Sequence, residues 1–282
     1  MLYVVFKDRL GNNLFQFGAA YSLTDNVTIC VPLKKEYDLL QSYKDIFFYG
    51  IKIINYIPPK IPVYYENGFE YNKIPYIESH DLIIDGYFQS YKYLFISKIR
   101  TQYRMPNNIL DSIKKKYPIL FSSPYCSIHV RRGDYMKILY KHPFAGKKYY
   151  KTAMKKMGNS FNYVIVSDDI SWCKKHFRGA NFLFIENTSF IEDFYIQVLA
   201  AHNIISNSSY SLWAAMLNNS KDKVVFAPSM WFGYDFKVNT SDLLPDYCKI
   251  LKNSYSVKLF AAAFVERHTI TLRKFFKKMF LI

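Results

Sequence analysis

The residues best suited to chemistry form one run, His129-Val130-Arg131-Arg132-Gly133-Asp134-Tyr135, directly after a β-rich segment, Tyr125 to Val130. In open α/β sheets ligands bind beyond the carboxyl ends of strands, so these side chains are expected to face a cleft. Two guanidinium groups there suit a diphosphate, because each is a permanently charged, rigid fork of donors that matches phosphate oxygens. Gly133 permits a tight turn, and Asp134 either pins an arginine or takes a proton as a general base. A solvated basic loop with an ordinary ion pair is the plainer alternative.

Four further clusters follow predicted strands. Ser206-Asn207-Ser208-Ser209-Tyr210-Ser211 opens a helix, where backbone N–H groups and short hydroxyls form an anion site or a simple N-cap. In Val166-Ser167-Asp168-Asp169 a carboxylate is placed to accept hydrogen bonds from a guanine edge or a ribose, or to cap the next helix. The two side chains are expected to diverge, since adjacent residues of an extended segment point apart. Leu10-Gly11-Asn12-Asn13-Leu14-Phe15-Gln16 offers a flexible glycine and amides that both donate and accept, as sugar hydroxyls require. A generic strand-to-helix turn explains it equally. Asp85-Gly86-Tyr87-Phe88-Gln89 mixes amide and aromatic groups. Rings suit the apolar face of a sugar, although core packing is their default.

The elements that must position these groups alternate β-rich runs with amphipathic stretches, the pattern of parallel α/β units. Strands are predicted at Leu2 to Phe6 and Val27 to Val31, and again at Tyr125 to Val130, Tyr163 to Val166, Asn181 to Ile185, Asn203 to Ile205 and Val224 to Ala227. Helices are predicted around Phe15 to Leu23, Ile191 to Ala201 and Tyr210 to Leu217. Residues 34–120, broken by Pro58, Pro59, Pro62 and Pro75, read as helices, loops and one buried strand, Leu82 to Ile84. Two α/β series imply two Rossmann-like halves with a cleft between them. The expected divisions are 1–120, an N-terminal α/β half; 121–250, a C-terminal Rossmann-like half; and a basic amphipathic tail, 251–282.

Composition narrows the classes. Of 282 residues 19% are aromatic, with 38 Lys+Arg against 22 Asp+Glu, a net charge of +16. Such a chain buries enough apolar surface to fold, and its charge favours a polyanionic partner. GxGxxG, GxxxxGK[ST], GxSxG, HExxH and Asp-x-Asp are all absent, which argues against the common dinucleotide, P-loop, hydrolase and metal–nucleotide sites. Cys30, Cys126, Cys173 and Cys248 lie at least 47 residues apart and read as buried free thiols of a reducing compartment. The apolar start, Met1 to Phe6, is expected to be too short for a signal sequence, and no stretch is apolar for long enough to span a membrane. The last 25 residues hold six basic residues and one acidic residue among Leu259, Phe260, Phe264, Leu272, Phe275, Phe276 and Phe280. That mixture suits either an interfacial helix on an anionic membrane or a helix docked on the protein itself.

The set GN-x-x-FQ (Gly11 to Gln16), GYFQ (Gly86 to Gln89), HVRRGDY, VSDD and SNSSYSLWAA resembles glycosyltransferase family 11, bacterial-type α-1,2-fucosyltransferases that use GDP-fucose. The resemblance implies a GT-B-like α/β fold, inverting chemistry, no obligatory metal, and transfer of L-fucose from GDP-β-L-fucose to a sugar hydroxyl, galactoside O-2, in bacterial surface-glycan synthesis. It implies that Arg131 binds the diphosphate with Arg132 as a second cation, and that His129 lies against phosphate or fucose. Asp168 or Asp169 would read guanine, and Ser208, Ser209, Gly11 and Asn12 would complete the donor site. Arg131, Asp134 and His129 are the implied catalytic set; Tyr87, Gln89 and Tyr135 are candidates for the acceptor. The family's GGLGN loop here carries Arg9 in place of glycine, and its SWWAAWL reads Ser211-Leu-Trp-Ala-Ala-Met-Leu217. Cys248 stands where a tryptophan is usual. The expected partners are GDP-fucose and a glycan acceptor, lipid-linked in one version, with the tail touching an anionic membrane and no nucleic acid. The expected place is the bacterial cytoplasm, at the inner face of its membrane. Another GDP-sugar transferase, a protein O-fucosyltransferase and a non-enzymatic nucleic-acid-binding protein stand as alternatives.

Overall fold

β-Branched and aromatic runs flanked by polar turns build the strands, and a computed structural model shows how they pair. It describes residues 1–158, 161–236 and 238–279, with side chains as far as 272. In the first half β1 (Leu2–Val5), β2 (Val27–Cys30), β3 (Lys52–Ile54), β4 (Val63–Tyr65) and β5 (Leu82–Asp85) form a parallel sheet in the order β3-β2-β1-β5-β4. In the second half β6 (Tyr125–Val130), β7 (Asn162–Ser167), β8 (Phe182–Phe184), β9 (His202–Ile204), β10 (Val225–Pro228) and β11 (Cys248–Leu251) form another, in the order β11-β10-β9-β6-β7-β8. Helices α1 (Leu10–Leu23), α2 (Lys34–Leu40), α3 (Lys44–Phe47), α4 (Ile96–Gln102) and α5 (Asn107–Lys116) lie between strands of the first series or lead into the second. The second series carries α6 (Lys147–Met157), α7 (Ile170–His176), α8 (Phe190–Val198) and α9 (Ser209–Leu217), and ends in α10 (Val257–Met279).

The stretch 34–120 holds three strands rather than the single one expected. β3 and β4 are three residues long and lie at the two edges of their sheet, so neither shows a usable alternation, and the prolines before β4 mask it further. β11, also unforeseen, is an edge strand with its two central residues exposed.

The strand orders place the cleft. In each sheet the winding reverses beside a central strand, between β1 and β5 in the first and between β6 and β9 in the second. A crevice opens at such a switch point, outside the carboxyl ends of the strands. The four segments that follow these four strands are the ones rich in amides, arginines and hydroxyls. Away from the cleft the halves share one core. Trp213 of α9 packs edge-on against Phe15 of α1, centroids 5.0 Å apart, and against Tyr103 at 5.5 Å. The Tyr103 hydroxyl donates to the Leu14 carbonyl at 3.1 Å, and Leu212 and Met216 fill the same core. The four cysteines are buried free thiols.

The first part of α10 docks on the second half. Ala263 is buried in the cluster around Tyr149 and Tyr150, and Arg267 pairs with Asp235 at 2.6 Å. Phe260, Phe264, Val265 and Leu272 remain exposed. Phe275 and Phe276 belong to the helix without described side chains, and Phe280 lies outside the described residues.

Candidate active site

The pairing of β6 with β7 places Val130 opposite Ser167, so the residues that follow, Arg131 and Asp168, emerge side by side. Arg131 Nη1 lies 3.0 Å from Asp168 Oδ2, and its Nη2 donates to Asp134 Oδ2 at 2.9 Å. Asp168 Oδ1 accepts the backbone N–H groups of Arg132 and Gly133 at 2.8 and 3.0 Å. Gly133 is required at that approach, because a Cβ there would stand 2.9 Å from Asp168 Oδ2. Asp168 therefore clamps the turn that presents Arg131. Asp169 points the other way, as expected of an adjacent pair. It accepts the Trp172 N–H at 3.0 Å as the N-cap of α7 and pairs with Arg132. The Arg132 guanidinium lies over the Trp172 ring at 5.4 Å. The two arginines thus part: Arg131 is held by Asp134 and Asp168, whereas Arg132 is drawn toward α7.

His129 is buried, with Nδ1 2.8 Å from Ser206 Oγ and its ring 5.4 Å from that of Tyr210. Burial, reinforced by the Arg131 charge, pushes its pKa down to about 3, so the imidazole is neutral near pH 7 and brings no cation to the cleft. Tyr135 lies below Arg131, with the guanidinium 5.6 Å from its ring centre. Its hydroxyl donates to the Asn207 carbonyl at 3.0 Å.

From the first half, α1 begins at the carboxyl end of β1 and meets the start of α9. A Cβ on Gly11 would come within 2.5 Å of Ser209 Oγ and 2.6 Å of the Tyr210 nitrogen, so glycine lets the two helix starts touch. Asn12 Oδ1 accepts from Gln89 Nε2 at 2.8 Å and from Ser209 Oγ at 3.0 Å. Gly11, Asn12, Gln89 and Ser209 form a joint between the halves. Gln89 is 7% exposed, and its Nε2 serves that joint. Neither Arg9 at the start of α1 nor Ser208 at the start of α9 makes a side-chain cap bond. Both helices therefore present uncapped, partially positive N-termini to the cleft. Across the opening Arg9 Nη1 stands 3.4 Å from Asp134 Oδ2, so Asp134 lies between two guanidinium groups.

The structure also places residues that the motifs did not single out. Glu66, half-buried just after β4, accepts the N–H groups of Tyr87 and Phe88 at 2.6 and 2.9 Å. Burial raises its pKa, against the lowering by those bonds and by Lys7. Asp8 accepts the Tyr87 hydroxyl at 2.8 Å. Its position in the polar turn after β1 was the one signal available in sequence. Among the described residues no group of three or more His, Cys, Asp or Glu is gathered to hold a metal ion.

The chain is similar in sequence and in fold to known glycosyltransferases. The profile of glycosyl transferase family 11 matches residues 64–250. An alpha-1,2-colitosyltransferase of Escherichia coli is 30% identical over 173 residues, 57% of this chain and 59% of that protein. A galactoside 2-alpha-L-fucosyltransferase, SEC1 of Bos taurus, is 28% identical over 106 residues, 34% of this chain and 29% of that protein. The chain thus matches less than two thirds of either relative's length. Among solved structures, fucosyltransferase NodZ from Bradyrhizobium superposes with a TM-score of 0.50 at 12% identity, over 76% of this chain and 91% of that one. That likeness supports a GT-B-like fold of two parallel α/β halves.

Proposed function

The chain belongs to glycosyl transferase family 11, and from that premise we propose that it transfers L-fucose from GDP-β-L-fucose to a galactoside hydroxyl, with inversion to an α-1,2 linkage. The observation that carries the reading is Arg131, held by Asp134 and Asp168 at 2.9 and 3.0 Å beside two uncapped helix starts. When the bond between fucose C1 and the β-phosphate oxygen breaks, negative charge grows on the diphosphate. Fixed donors aimed at that charge stabilise the transition state without moving a proton, and losing one such donor typically costs about 3–4 kcal/mol, or roughly 10²–10³ in rate. Arg131 and the first N–H groups of α9 are those donors in this reading, and no metal is needed to supply the charge. The acceptor oxygen attacks C1 from the opposite face, which inverts the centre. Asp134 and Asp168 act through Arg131 as positioning residues, and Asp169 does so through Arg132. Asp134 is engaged by Arg131 and Arg9 at 2.9 and 3.4 Å, so it is read as a positioning residue rather than as the base. Neutral His129 braces the strand end through Ser206.

Arg131→Ala is expected to lose transfer by at least 10²-fold while keeping its circular dichroism and melting profile. Near wild-type turnover would refute the assignment. Transfer of colitose is the nearest alternative, since the E. coli relative is named for it; turnover with the two GDP-sugars in parallel decides between them.

The exposed Phe260, Phe264, Val265 and Leu272 of α10 favour a second reading, peripheral contact with an anionic membrane. No helix among the described residues is long and apolar enough to cross one. Flotation with phosphatidylglycerol vesicles should fall sharply in Phe264→Ser/Val265→Ser; equal flotation of variant and wild type would reject the contact.

A further inference from the structure

The wall of the cleft opposite Arg131 holds a carboxylate at the end of a row of aromatic rings. Asp8 follows β1 with a left-handed backbone, φ 65°, a conformation that costs a non-glycine residue energy but that Asp tolerates better than most. Asp8 is exposed; its Oδ2 accepts the Tyr87 hydroxyl at 2.8 Å and Asn12 Nδ2 at 3.3 Å, and Oδ1 has no hydrogen-bond partner among the described residues. From Tyr87 the rings run on without a break. Tyr87 stacks on Phe69, centroids 6.2 Å apart at 10°, and Phe69 meets Phe232 at 5.1 Å. Phe232 meets His142 at 6.0 Å, and His142 stacks on Tyr135 at 4.8 Å and 18°. Tyr135 is the ring under Arg131. Arg9, the residue next to Asp8, stands 3.4 Å from Asp134, which in turn holds Arg131 at 2.9 Å, so Asp8 borders the same cleft as Arg131.

A pyranose offers a C–H face that packs on aromatic rings and a rim of hydroxyl groups that donate to a carboxylate. We propose that Asp8, with the ring row Tyr87, Phe69 and Phe232, is the acceptor-binding site, with one hydroxyl of a terminal galactoside donating to Asp8 Oδ1 and the sugar's apolar face on the rings. This rests on the galactoside reading above. Asp8 is then a specificity-determining residue.

The test uses the full chain, lactose and N-acetyllactosamine as acceptor probes, and Asp8→Asn, which retains both the tolerance of a left-handed backbone and the partner for Tyr87. A second variant, Tyr87→Phe, removes the hydroxyl that orients Asp8 and leaves the ring. For Asp8→Asn the acceptor KM is expected to rise at least tenfold with the Kd of GDP-fucose within twofold of wild type; Tyr87→Phe should move the same way by less. Wild-type acceptor KM in both variants would overturn the proposal, as would failure of the wild type to bind either disaccharide. Failure of the wild type to bind GDP-fucose would refute the donor reading instead, and calorimetric titration of the disaccharides onto wild type and Asp8→Asn would still judge the Asp8 site.

Discussion

Asp168→Asn isolates the clamp on Arg131 with little change of shape. The asparagine carbonyl oxygen can still accept the N–H groups of Arg132 and Gly133, which now meet Asp168 Oδ1 at 2.8 and 3.0 Å. Its amide N–H then faces Arg131 Nη1 where an anionic oxygen stood at 3.0 Å, donor against donor. A hydrogen bond to a charged group contributes about 1.5–3 kcal/mol. The two side chains are 23% and 24% exposed, so water screens the pair only in part. If that energy serves to hold Arg131 where diphosphate charge develops, kcat should fall about 10- to 150-fold, at 1.36 kcal/mol per decade. The melting temperature should fall by only a few degrees, since the backbone bonds survive.

Continuous assay of GDP release in the presence of lactose measures kcat, and a cycle with Arg131→Ala supplies the control. In the Arg131→Ala background Asp168→Asn should cost little more, because the clamp has nothing left to hold. Unchanged kcat in Asp168→Asn, or fully additive effects of the two variants, would refute the view that Asp168 works through Arg131.

Three further outcomes are expected. His129 has a folded pKa near 3, below the ordinary imidazole value, so its contribution to stability is complete above about pH 6.5 and is lost as pH falls toward 3. Thermal melts of His129→Gln should therefore lose stability less steeply than wild type between pH 6.5 and 4; identical slopes would contradict the burial of a neutral ring. Gly11→Ala tests the helix joint, because helix propensity alone predicts a gain of about 1 kcal/mol. A Cβ at 2.5 Å from Ser209 Oγ and 2.6 Å from the Tyr210 nitrogen instead predicts a loss of about 1–3 kcal/mol from overpacking, so the sign of the urea midpoint shift decides. Transfer should continue undiminished in excess EDTA, and a strict requirement for added Mg²⁺ or Mn²⁺ would show that Arg131 and the helix termini do not carry the leaving-group charge alone.

Much of the cleft was legible because its motifs follow strands. The segments after β1, β5, β6 and β9 carry the chemistry-bearing residues, and those four strands flank the two switch points. The destiny of the carboxylates was not legible. That Asp168 would grip Arg131 depends on the β6–β7 register, which sets Val130 against Ser167 and cannot be read from either segment alone. The ring row was hidden for a similar reason: Phe69, Tyr87, His142 and Phe232 come from segments far apart in the chain. Among 26 Tyr and 24 Phe, Tyr87 and Tyr135 stood out by their motifs, whereas Phe69 and Phe232 lie in none. That Gln89 would be buried and donate to Asn12 could not be read from its motif either. The edge strands β3, β4 and β11 escaped because three or four half-exposed residues carry no period.

Donor binding tests the central claim most directly. Isothermal titration of GDP-fucose, GDP-mannose, UDP-galactose and CMP-sialic acid into wild type and Arg131→Ala separates the donor classes before any acceptor is chosen. GDP-fucose should bind the wild type, the UDP- and CMP-sugars should not, and Arg131→Ala should weaken GDP-fucose at least tenfold. Binding of a UDP- or CMP-sugar in preference to GDP-fucose, or equal affinity of wild type and Arg131→Ala for GDP-fucose, would contradict the account.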